Sequence, residues 1–258
     1  MIKKLIKILF VLFVMLSLFF ADKAIAAVSY THKTTSGATN NTTSYTIAST
    51  TPTANALILL WVDNRNASGA PDTPTITGNN LTWVQATTTT HHAATAGDRR
   101  FTLFRAMGSS PTAGTTTISY TNNQNNVGWT MVEFAGVDTS GTNGSGAIAQ
   151  STSSISDDTA DITITLNTFS GTSNITAGGF VNIDNSQAIV AGSGFTIAGQ
   201  WQATGENLSV ASEVQLANDT TVDASIGSGT TRWGGIAVEV VAAPPSVDPP
   251  KMSIVWWW

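Results

Sequence analysis

The sequence predicts an all-β protein, a two-sheet antiparallel β-sandwich of jelly-roll type. Three observations carry that expectation. Short segments alternate apolar and polar residues with a period of two, as in TTTISYT, where Ile118 and Tyr120 alternate with Thr117, Ser119 and Thr121. Gly, Asn, Ser or Pro close these segments at short intervals, with no helical period between them. Charged residues make up only 10% of the chain, so Thr, Ser, Asn and Gln must cover the surface, as suits an extracellular β-protein.

The first segment is a secretory signal rather than part of the fold. Lys3, Lys4 and Lys7 form a basic start, Ile8 to Phe20 an apolar run, and Ala24-Ile25-Ala26 a small-residue cleavage motif. The apolar run is shorter than the roughly 20 residues that span a bilayer. Residues 1–26 therefore read as a signal peptide, and the remainder as a secreted or cell-surface protein with no transmembrane span after cleavage. Its removal leaves 7 basic against 15 acidic residues, a net charge of −8. A sparsely charged acidic chain has no electrostatic means of gripping phosphate backbones, which argues against nucleic acid as a partner. Cysteine is absent, which excludes thiol catalysis and thiolate metal sites. The N-x-[ST] sequons at Asn66, Asn80 and Asn174 follow from an Asn- and Thr-rich composition and carry no reading of their own.

After the lead VSYTHKT, the segment SYTIAS places Tyr45 and Ile47 on one face. ALILLWV, Ala56 to Val62, is a continuous apolar run of strand length, the mark of a central strand covered on both faces. The polar stretch DNRNASGAPDTP reads as a loop, and four alternating strands follow between Gly78 and Val137: GNNLTWVQATTTT, DRRFTLFRAM, GTTTISYT and VGWTMVEFAGV. Downstream lie DITITL with Ile162, Ile164 and Leu166 inward, NITAGGFVNI, AIVAGSGFTIAGQWQ, NLSVASEVQL with Leu208, Val210, Val214 and Leu216 on one face, and RWGGIAVEVVA. About a dozen strands fit one sandwich domain over residues 27–243. The alternative is a split into two small sandwiches near 140–158, a segment that reads as a long surface loop containing at most a short strand. Residues 244–250 form a stiff Pro-rich linker. Residues 251–258 are an apolar tail ending in Trp256, Trp257 and Trp258, expected to be cut short from a longer protein or to dock against a partner.

Taken together, TANALILLWV, GNNLTWVQAT, FTLFRAM, TAGTTTISYT, VEFAGVD, the Gly192–Thr196 turn and the closing RWGGIAVEVV resemble a recurrent domain of secreted bacterial and phage-associated proteins. That family is similar to jelly-roll, concanavalin-like and adhesin-like sandwiches and is of largely uncharacterised function. The resemblance spans residues 54–137 and 188–241; the Trp-rich end and the long loop at 140–158 depart from it. It implies a surface or binding module and transfers no active site.

Candidate chemistry is sparse. Sandwich glycosidases use two carboxylates about 5–10 Å apart, and Glu133 (WTMVEFAG) and Glu239 (GIAVEVV) each follow a Trp in their own strand. They would serve as acid and nucleophile if they faced one another, and as ordinary strand carboxylates otherwise; the E-x-D-x-E strand motif is missing. His91 and His92 are adjacent, so on a strand they point to opposite faces and do not share a metal. His32 is the third His, and no G-x-S-x-G elbow supports a serine hydrolase. For calcium, hard oxygen ligands are offered by Asp63, Asn64, Asn66 and Asp72, and by Asp157, Asp158 and Asp161, without a calcium-loop template. No other cofactor is expected. Trp61, Trp83 and Trp129 lie among apolar neighbours and read as core, whereas Trp201 (AGQWQATGE) and Trp233 (TTRWGG) have polar and Gly flanks and are the candidates to stack on a ligand. The expected function is a non-enzymatic binding or adhesion module, with an extracellular glycan or cell-surface protein as partner. The alternatives are a glycan-active hydrolase or lyase using Glu133 with a second carboxylate, and a structural building block of a surface layer or fibre.

Overall fold

The computed structural model describes residues 27–245 apart from 67–68, 94–96, 185, 204–206 and 228–231. The expected signal peptide and apolar tail lie outside the described residues, as does most of the linker. Sixteen strands and no helix are present among the described residues. The first eight are β1 (Ser29–Ala38), β2 (Thr42–Thr50), β3 (Leu57–Arg65), β4 (Thr75–Gly78), β5 (Val84–Ala93), β6 (Gly97–Ala106), β7 (Gly114–Gln124) and β8 (Asn126–Ala135). The second eight are β9 (Ile148–Ser156), β10 (Asp161–Thr165), β11 (Ile175–Asn182), β12 (Ile189–Ala191), β13 (Thr196–Gln202), β14 (Ser209–Gln215), β15 (Thr221–Ile226) and β16 (Trp233–Val240).

The strands form four antiparallel sheets. Two have five strands, in the orders β1-β8-β3-β6-β5 and β13-β14-β11-β16-β9; two have three, β2-β7-β4 and β10-β15-β12. Subtracting eight from every label of the second half reproduces both orders of the first, so one eight-stranded unit occurs twice. In the first half the first strand pairs with the eighth, the second with the seventh and the third with the sixth. The fourth does not pair with the fifth, which instead extends the larger sheet beside the sixth.

Alternation along β3 explains the layering. Ile58, Leu60 and Val62 join the core beneath the three-stranded sheet of the first half, with Tyr45, Ile47, Ile118 and Trp129. Leu57, Leu59 and Trp61 point the other way, into a larger core shared with Ile175, Ala177 and Val181 of β11. Phe180 faces outward from β11 into a third core with Ile162, Ile164 and Val222. The expected single two-sheet sandwich is therefore two sandwiches sharing a central core between their five-stranded sheets. Ala27–Ala243 forms one compact unit, although the boundary between its halves lies where the alternative split was expected. The segment at 140–158 is a turn-rich link followed by a full edge strand, β9.

Bulk is exchanged between equivalent positions. Ladder register places Ile58 opposite Glu133 and Thr176 opposite Glu239, which makes Trp61 and Gly179 equivalent. These two meet across the shared core: a Cβ on Gly179 would lie 2.3 Å from Trp61 Cδ1, and the indole Nε1–H donates to the Ile236 carbonyl at 3.2 Å. Equivalent bulges mark β5 and β13, between Gln85 and Thr87 and between Ile197 and Gly199; each leaves an Ala, Ala86 or Ala198, packed on the shared core.

Overpacking a filled core costs about 1–3 kcal/mol, occasionally more. Gly179→Ala is accordingly expected to lower the urea midpoint strongly, because Trp61 is fully buried and has nowhere to go. In the Trp61→Leu background the same change should cost much less. Strict additivity of the two changes in denaturant unfolding would show that they do not share this contact.

Candidate functional site

Glu133 and Glu239 occupy equivalent positions on β8 and β16, and each holds the loop that enters the central strand of its half. Glu133 accepts hydrogen bonds from Thr53 N and Oγ1, both at 2.8 Å, and an ion pair from Lys33 at 3.2 Å. Glu239 accepts from Ser170 N and Oγ, both at 2.7 Å, and from Asn174 and Gln150. Glu133 shares its face of β8 with Met131 and Trp129, toward one outer sheet; Glu239 shares its face of β16 with Ala237, toward the other. Both five-stranded sheets lie between them, at a spacing of about 10 Å per layer. The pair cannot close on one glycosidic bond, and the expectation of joint acid and nucleophile roles is corrected: these carboxylates tie loops.

Asp63 is also corrected as a calcium ligand. It belongs to β3 rather than to a loop, is fully buried, and takes the Arg99 guanidinium through Nε at 2.9 Å and through Nη2. His91 Nε2 stands 3.9 Å from its other oxygen. Burial pushes the Asp63 carboxyl up, against the opposing pull of Arg99. Asn64 points to the opposite face and donates to the Asp72 carbonyl at 3.0 Å, while the Asp72 carboxylate accepts from Asn122 N and Nδ2. No group of three or more His, Cys, Asp or Glu able to hold a metal occurs among the described residues. Asp157, Asp158 and Asp161 lie around the turn into β10.

The two candidate stacking tryptophans do not behave alike. Trp233 is 3% exposed within the outer core of the second half, so its ring has no face to offer. Its Gly flanks serve packing: Gly234 receives the His91 ring, and Gly235 the side chains of Ile164 and Phe180. Trp201 is half-buried on the edge strand β13, its six-membered ring against Gly37 of β1 and its body on the shared core.

A site the motif search passed over lies at the β7–β8 turn. The run NNQNN, Asn122 to Asn126, would have signalled it as a concentration of amides at one turn. Asn122 and Asn123 are exposed and, with Asn41, Thr43, Asn66 and Thr121, line an open groove of about 590 Å³. Behind that wall is a buried amide network. Gln124, fully buried, donates to the Asn122 and Asn123 carbonyls at 3.1 and 3.2 Å and accepts from Asn64 Nδ2 at 2.8 Å. The Tyr45 hydroxyl stands within hydrogen-bond reach of both the Gln124 and Asn40 carbonyls, which it can serve by one shared O–H, and so ties the β1–β2 hairpin to the same frame. Of the groove's wall, the Asn122 and Asn123 carbonyls are thus held by Gln124 and the Asn122 amide by Asp72.

Compared with protein-family models, curated proteins and solved structures, the chain shows no significant match. No helix among the described residues is long and apolar enough to cross a membrane.

Two carboxylates set opposite pH dependences. Burial lifts the Glu213 carboxyl to about 8, with the Gly192 N–H opposing and Asp223 adding to the rise. A raised carboxyl contributes stability that is complete below its unfolded value and lost as pH climbs through about 8. Glu213→Gln should thus gain on the wild type from about pH 5 to 8, by up to roughly 1.4 kcal/mol per pH unit, and then level off. Burial also lifts Glu239, but hydrogen bonds from Ser170, Asn174 and Gln150 together outweigh it and hold the carboxyl below its ordinary value. Its contribution is present above the unfolded value and disappears as pH falls through the folded one. Glu239→Ala should cost about 1–3 kcal/mol at pH 7 and less at pH 3. Denaturant midpoints at pH 3, 5, 7 and 9 check both, and a pH-independent difference for either variant would contradict its assignment.

Proposed function

We propose that this chain is a secreted or cell-surface, non-enzymatic binding and adhesion module whose ligand is a neutral glycan. The observation that carries the reading is the Asn41–Thr43 and Asn122–Asn123 wall, exposed on one side and braced on the other by Asn64, Gln124, Asp72 and Tyr45. Amides and hydroxyls supply paired donors and acceptors that match sugar hydroxyls, and none of the residues lining this groove is charged. The resemblance to secreted sandwich domains and the signal-like N-terminus support the same location and class. The enzyme alternative loses its carboxylate pair, since Glu133 and Glu239 lie on opposite outer faces and are engaged in loop clamps.

The test is a glycan array probed with residues 27–243. Binding to one or a few neutral glycans is expected, weakened at least tenfold by Asn123→Ala combined with Thr43→Ala at unchanged melting temperature. Failure to bind any glycan would remove the reading.

A further inference from the structure

The two halves share a strand order but not a charge. Residues 27–138 carry five basic and five acidic side chains, whereas residues 139–243 carry nine acidic side chains and one basic, Arg232. Arg232 is engaged by Asp184 at 3.1 Å. In this acidic half Glu213 of β14 is fully buried, and its Oε1 accepts no hydrogen bond from the protein. Two residues along the same face, the Gln215 Oε1 is buried and accepts none either. We infer that Glu213, Gln215 and Asp223 form a calcium site at the Gly192–Phe195 turn between β12 and β13. The site is independent of the glycan-binding reading, whose groove lies in the other half.

The turn brings the three side chains together. The Phe195 N–H closes it on the Gly192 carbonyl at 3.1 Å. Gly192 stands against both carboxylates: its N–H is 3.4 Å from Glu213 Oε2, and a Cβ there would lie 2.5 Å from Asp223 Oδ1. The Gln215 amide packs on Gly194, whose φ is +81°; a Cβ there would lie 2.6 Å from Gln215 Nε2. Glu213 points toward the outer sheet, as Ala211 does, and so away from the basic residues of the first half. Asp223 of β15 is partly exposed, which gives an ion a way in from solvent.

Ladder register makes Phe104 the counterpart of Glu213 and Ala106 that of Gln215. The second half thus buries two acceptor oxygens where the first buries a phenyl ring and a methyl group. A buried carboxylate needs hydrogen-bond donors and an opposite charge. The Gly192 N–H is a long donor, and the one guanidinium of this half is occupied at Asp184. A water molecule would answer the oxygens but not the charge, and Asp223 adds to the negative field at Glu213. A hard divalent cation answers both, because carboxylate and amide oxygens are its ordinary ligands. With three protein side chains at the site, water completes the shell. That places the affinity in the weak range of extracellular modules, with Kd on the order of 1 mM.

The test uses residues 27–243 stripped with EDTA, with calcium chloride as the probe at pH 8.5, where a proton competes least for Glu213. The pH dependence given above for Glu213 is that of the calcium-free protein. Calcium at about 10 mM is expected to raise the melting temperature by about 3–6 °C, the shift that such a Kd gives a domain of this size. Magnesium at the same concentration should give less than half of it, because it sheds water reluctantly and demands a stricter geometry. Glu213→Gln and Asp223→Asn keep the shape of the side chains they replace, and each should remove at least half of the calcium shift. In 15N spectra of the wild type, the Gly192 and Gly194 amide resonances should move most as calcium is added. Equal calcium shifts in the wild type and both variants would mean screening of the acidic half and would overturn the site. No shift in the wild type, or glycine resonances that stay still, would overturn it as well.

Discussion

The packing of Trp61 on Gly179 is the contact on which the rest of the molecule depends. Two five-stranded sheets can share one core only if their central strands approach closely, and here the approach is set by an indole on one side and a missing Cβ on the other. The hydrogen bond from Trp61 to the Ile236 carbonyl fixes the angle of the ring and ties the central strand of one half to a neighbouring strand of the other. Because the two residues are equivalent by register, they lie where a symmetric pair would clash if both were large and leave a void if both were small. A covalent repeat can solve this by differing at the one position, which an assembly of identical units cannot do.

A second device runs through the same layer. Thr35, Thr130 and Ser212 form a chain of hydroxyl contacts at 2.8 and 2.7 Å across the shared core, with His32 meeting Thr35 from the surface at 2.7 Å. Thr130 and Ser212 are fully buried, and each hydroxyl satisfies the next. Apolar packing tolerates sliding, whereas a row of hydroxyls at hydrogen-bond distance does not, so this row sets the register between sheets. Outside the central layer, the Glu133 and Glu239 clamps perform the corresponding task for loops, holding the chain where it enters β3 and β11.

How much of this was legible follows from where period and chemistry agree. DITITL and TTTISYT alternate cleanly and form β10 and β7 with the expected residues inward; ALILLWV is apolar throughout because β3 contributes to two cores. Leu208, Val210 and Val214 enter the core as expected, whereas Leu216 lies past the end of β14 and is 57% exposed. The repeat was hidden because its halves conserve register while exchanging bulk: Trp61 against Gly179, Trp129 against Gly235, Val62 against Phe180. Few equivalent positions carry the same residue, among them Asn64 and Asn182, Ala86 and Ala198, Gly128 and Gly234, and Glu133 and Glu239. β9 escaped because QSTSSIS has no continuous apolar alternation; it is an edge strand that lies beside β5, with Ser151 on Thr87 at 2.7 Å. Asp63 was misplaced because DNR reads as the start of a loop, yet β3 continues through Arg65 and its carboxylate finds Arg99 inside. Trp233 was misread because glycine neighbours suggest exposure, whereas here they admit His91, Ile164 and Phe180.

Some differences between the repeated units answer a packing demand, as at Trp61 and Gly179; others lie at the surface. In the second half Gly235 lets Ile164 and Phe180 fill the core, and Glu239 is saturated by its loop. The first half departs from that solution around one hairpin. It carries a run of five amide side chains at the β7–β8 turn, among them a buried Gln124 whose donors go to the carbonyls of that turn. An exposed polar turn needs no such bracing to remain in water, because solvent satisfies it. Gln124 fixes the backbone carbonyls of Asn122 and Asn123, and Asp72 fixes the Asn122 amide, which lowers the ordering cost of any contact made at this turn.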